Sequence, residues 1–75
     1  MAQRNLGAMY LYGKGVPKDW VYAYAWYNVA QANGDEKAKK WRDELGLTPE
    51  LLVLRGQAQS LSTEIQKRIE ANRKD

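Results

Sequence analysis

Apolar residues recur along most of this chain at spacings of three and four, the period of an α-helix. Ala2, Leu6, Met9 and Tyr10 set the first such segment, which the pattern extends to about Tyr12. Gly13-Lys14-Gly15-Val16-Pro17-Lys18 interrupts it, because two glycines accept left-handed backbone and Pro17 cannot continue a helix. Asp19 then stands where a carboxylate can accept from first-turn N–H groups, and a second helix is expected from there to about Asn33-Gly34. Its apolar residues do not form one stripe. Trp20, Tyr22, Tyr24, Trp26 and Tyr27 fall on every side, among Ala23, Ala25, Ala30 and Ala32, and no charge lies between Trp20 and Gly34. A helix apolar all round is expected to be buried on more than one face.

The second half has a different texture. Asp35 is expected to cap a short, charge-rich helix over about Glu36–Leu45, with Ala38, Trp41 and Leu45 as its apolar face and Gly46 as its stop. Thr48-Pro49-Glu50 reads as the start of a fourth helix, Thr48 supplying the cap and Pro49 the first helical position. That helix is expected to reach Asn72 on a stripe of Leu51, Leu54, Ala58, Leu61, Ile65 and Ile69, weakened by Gly56 in its interior. No segment alternates with period two, so no strand is expected and the fold class is all-α.

Composition narrows the function. Seventy-five residues with 44% hydrophobic and 28% charged residues make an ordinary globular mixture, not a disordered one. Cysteine and histidine are both absent, which removes thiol nucleophiles, histidine relays, disulfides and the common zinc sites. Asp35-Glu36 and Asp43-Glu44 are carboxylate neighbours, but adjacent positions on a helix point apart. Gly13-Lys14-Gly15 lacks the Gly-Lys-Ser/Thr ending of a phosphate loop. No catalytic, cofactor or metal residue is therefore assigned, and no small-molecule substrate is expected. The net charge of +3 is concentrated nowhere: Lys37, Lys39, Lys40 and Arg42 are flanked by Asp35, Glu36, Asp43 and Glu44, the pattern of a solvated helix face. No apolar run is long enough to span a bilayer, and no secretory leader is visible.

The string Ala2-x-x-Asn5-Leu6-Gly7-x-Met9-Tyr10-x-x-Gly13-x-Gly15-Val16-Pro17-x-Asp19, followed by Ala23-x-x-Trp26-Tyr27-x-x-Ala30-x-x-x-Gly34, resembles one Sel-one-like repeat. This family is related to tetratricopeptide repeats. The resemblance implies a helix–turn–helix unit in residues 1–34 that stacks with neighbours into an α–α superhelix. Ala38, 36 residues after Ala2, fits the start of a second unit. The pattern then decays. Gln31 stands where a second alanine is preferred, and Arg42-Asp43 stand where Leu-Gly would recur. Residues 35–75 are thus expected to form a degenerate repeat helix plus a long capping helix, as at the ends of many bacterial proteins of this type. The start inside a repeat is that of a piece of a longer solenoid, a free-standing small protein being the alternative. Within the implied hairpin, Leu6 and Tyr10 would face Ala23 and Tyr27, and Gly7 would let the helices approach closely.

The resemblance also implies a non-catalytic scaffold or adaptor whose partner is another protein or peptide. The concave surface of such solenoids is lined by the first helix of each unit. Arg4, Leu11 and Tyr12 on the first helix, with Lys37 and Lys40 on the third, are the candidate partner-binding residues. Two alternatives remain open. One is a self-associating structural protein, such as a homodimer formed through Leu11, Tyr22 or the last helix. The other is a small basic helical nucleic-acid binder, whose affinity would fall with salt.

Overall fold

A computed structural model describes residues 3–72, all of whose regular elements are helices: α1 (Gln3–Tyr12), α2 (Trp20–Ala32), α3 (Glu36–Gly46) and α4 (Pro49–Asn72). The all-α expectation holds, and each helix lies within a residue or two of its expected span. Ala2, the first position of the expected pattern, lies outside the described residues.

The caps explain most of these boundaries. Asp19 has extended backbone, and its carboxylate accepts from the N–H groups of Val21 and Tyr22. Asp35 does the same for Lys37 and Ala38. Thr48 behaves differently from its expected role. Its hydroxyl donates back to the carbonyl of Leu45, at 2.8 Å, and so serves the end of α3 rather than the start of α4. With a connection this short, both helix ends compete for one side chain, and the Leu45 carbonyl, which already accepts from the Thr48 N–H at 3.1 Å, takes the hydroxyl as well. The longer connection after α1 is pinned at both ends. Lys14 N–H donates to Met9 and Asp19 N–H donates to Tyr10, both at 2.9 Å. Gly13, at φ +70°, makes this possible, since a Cβ there would sit in left-handed backbone and 3.2 Å from Lys18.

The helices form two antiparallel hairpins, α1–α2 and α3–α4, laid side by side in the same sense. Arg4 in the first turn of α1 pairs with Asp35, which caps the first turn of α3. Leu11 and Tyr12 at the end of α1 share a depression with Trp41 and Leu45 near the end of α3. These two helices therefore point the same way. Likewise Trp20 at the start of α2 lies by Glu50, Asn28 bonds to Ser62, and Asn33 bonds to Gln66, so α2 and α4 point the same way.

α2 is the hub, packed against α1, α3 and α4. Ala23, Ala25 and Tyr27 are completely buried, and Tyr24, Val29 and Ala30 nearly so, as an all-round apolar helix requires. Ala38 and Leu45 from α3, with Leu51 and Ala58 from α4, complete one core. Gly7 meets the ring of Tyr27 so closely that a Cβ would lie 2.7 Å from its Cε1. The expected close approach of α1 to α2 is therefore made at that residue. Tyr10 stacks on Tyr22 at 4.9 Å between ring centroids, and Tyr27 meets Trp41 edge to face at 6.0 Å.

Candidate interaction cleft

The end of α1, the start of α2 and the end of α3 converge on an open cleft of about 350 Å³. Leu11 and Tyr12 come from α1, Trp20 from α2, and Trp41, Glu44 and Leu45 from α3, with Thr48 from the connection that follows α3. Helical spacing sets the α3 wall: Trp41, Glu44 and Leu45 are three and four apart and share one face. Leu45 turns into the core, whereas Trp41 keeps 41% of its surface exposed and Tyr12 keeps 66%. Large rings half out of a core, with a polar group at the rim, are the surface type that binds other molecules.

The acidic groups along and beside α2 and α3 divide into spent and unspent. Asp19 and Asp35 are used as caps, and Asp43 accepts from Arg42 at 2.9 Å. The Glu44 carboxylate makes no ion pair or side-chain hydrogen bond among the described residues. Two donors, the Trp20 indole N–H and the Tyr27 hydroxyl, are buried without a partner. Burial pushes the Tyr27 phenol up to about 12, with Tyr12 adding to the rise and Arg4 opposing it. Among the described residues no group of three or more acidic side chains gathers to hold a metal ion, and no helix is long and apolar enough to cross a membrane.

The five residues expected to bind a partner are brought together only in part. Tyr12 and Leu11 line the cleft, but Leu11 also packs against the core and does not stand on a free face. Arg4 lies at the opposite end of α1, half-buried and 3.4 Å from Asp35. Lys37 and Lys40 are exposed on α3 and line no part of the cleft. The sequence pattern assigned Trp41 to the apolar face of α3 and Trp20 to the interior of the fold, and it left Glu44 among solvated charges. The three meet because α1 and α3 run in the same direction. The available signal was the Trp41–Glu44 spacing, which has no meaning until α1 supplies the opposite wall.

A second groove, of about 440 Å³, runs between α2 and α4 and is lined by Val29, Ala32, Gln59, Thr63 and Gln66 among others. Its floor holds a polar seam. Asn28 donates to Ser62 at 3.1 Å and accepts from Arg42 at 3.1 Å, while Arg42 also donates to Gln31. Ser62 donates in turn to the carbonyl of Ala58. Gln31 and Arg42 thus satisfy each other across α2 and α3.

No family model matches the chain, and no curated protein and no solved structure matches it.

Proposed function

We propose that this chain is a non-catalytic protein-interaction module of the Sel-one-like, tetratricopeptide-related type, with residues 3–34 as one unit and residues 35–72 as a modified second unit that closes the stack. The observation that carries this reading is the aromatic cleft between α1 and α3, two helices that point the same way in successive hairpins. A rigid groove between parallel helices suits an extended peptide, which gains affinity from a few anchoring side chains. Arg4, Lys37 and Lys40 would flank such a peptide rather than anchor it. The test is a selection of peptides from a random library on the full chain. Tyr12→Ala should weaken the selected binders about tenfold or more while leaving the helical circular dichroism unchanged. Undiminished affinity would remove the cleft from the proposal.

A second reading, self-association, is favoured by a different patch. Leu47, Leu52 and Val53 around the start of α4 are 74%, 58% and 82% exposed. Sedimentation of the full chain at high micromolar concentration tests it, and a clean monomer would end it.

A further inference from the structure

The charge inside the α1/α3 cleft specifies what its anchor must be. We infer that the cleft takes an arginine side chain of a partner peptide, lying against the rings of Tyr12, Trp20 and Trp41 with the Glu44 carboxylate as its counter-charge. This rests on the reading that the cleft is where a partner docks.

Glu44 is the one charged residue that lines the cleft. It is also unpaired among the described residues, unlike Asp43 beside it on α3 and Asp35, which caps that helix. An apolar anchor would strip part of the hydration of that exposed carboxylate and supply no counter-charge. An acidic anchor would meet a like charge. A cation is attracted twice, by the carboxylate and by the negative faces of the aromatic rings. The chain itself provides an example. Lys18 Nζ stands 5.4 Å from the centroid of the Trp20 ring. It does so from a separate depression formed with Glu50, which leaves the cleft side of the indole open. Among cations, the planar guanidinium stacks on rings and forks onto a carboxylate at once, whereas a lysine ammonium is a strongly hydrated point charge.

The experiment titrates the full chain with acetyl-arginine-amide and, in parallel, with acetyl-norleucine-amide and acetyl-glutamate-amide. The indole N–H resonances are followed by NMR. Trp20 and Trp41 should shift saturably with the arginine probe alone. Trp26 does not line the cleft and serves as the internal reference. Glu44→Gln should weaken the arginine probe about three- to fivefold, the range of an exposed ion pair. Glu64→Gln, an exposed carboxylate on α4, should leave it unchanged. Equal binding of the norleucine probe, or an unaltered affinity in Glu44→Gln, overturns the inference. The two levels separate cleanly. Library peptides that depend on Tyr12 but carry no arginine and ignore Glu44→Gln would leave the cleft as docking site and remove the cation. Peptides indifferent to Tyr12 would remove both.

Discussion

α2 is held on two sides by two kinds of contact. Against α1 the joint is apolar and tight: Gly7 lies under the Tyr27 ring, and Tyr10 stacks on Tyr22. Against α3 and α4 the apolar core shares the joint with a polar seam, in which Asn28 links Arg42 to Ser62. The first joint depends on shape. It tolerates little added volume, and its polar links, Asn33 to Gln3 and Asp19 N–H to Tyr10, lie at its ends rather than in its interior. The second depends on hydrogen-bond partners, each of which becomes costly if one member is lost. The lesson is that one helix can be fixed against the first hairpin by volume and against the second by register, since only one sliding position of α4 along α2 satisfies Asn28, Ser62 and Gln66 together.

The largest expected effect attacks the tight joint. Gly7→Leu should destabilise the chain by about 3 kcal/mol, measured by urea unfolding, because the completely buried Tyr27 cannot retreat. A loss well under 1 kcal/mol would mean the joint is loose. Alkaline titration probes the same residue without mutation. The folded-state phenol ionises near 12 rather than at the ordinary tyrosine value of about 10, so the unfolded chain releases its proton first. Stability is unaffected by this group below pH 10 and should fall by about 1 kcal/mol per pH unit from there to about 12. In Tyr27→Phe that part of the alkaline decline should disappear, and removal of the unpartnered hydroxyl should not itself destabilise.

On the other side of α2, Asn28→Ala should cost about 2 kcal/mol by stranding Ser62 and part of Arg42. If it costs nothing, the seam sets no register and the contrast between the two joints collapses. Smaller effects sharpen the picture at the helix ends. Asp19→Ala and Asp35→Ala should each lose about 1 kcal/mol in thermal or urea unfolding. Asp35→Ala should be slightly the worse, because it also releases Arg4. Gly56→Ala should act in the opposite direction and raise stability by just under about 1 kcal/mol. A Cβ at Gly56 meets nothing within 4 Å, so only the helix propensity changes.

Legibility followed the range of the interactions. The caps at Asp19 and Asp35, the break at Gly13 to Pro17 and the burial of α2 on more than one face depend on residues within a turn or two, and all were readable from the chain. Thr48 was misread because two helix ends compete for it, and geometry rather than residue type decides between them. Leu11 was read as a partner-binding residue of the first helix, but it packs in part against the core. Arg42 and Gln31 read as blemishes in a repeat pattern, although each is the other's partner across α2 and α3.

By itself the sequence determined four helices, their limits and an aromatic α2 destined for the centre, since apolar period and capping chemistry are local properties. Only the tertiary structure decided that the two hairpins lie in the same sense. That alignment sets Tyr12 opposite Trp41 and Glu44 and aligns Asn28 with Ser62, contacts between residues about thirty positions apart that no local pattern encodes.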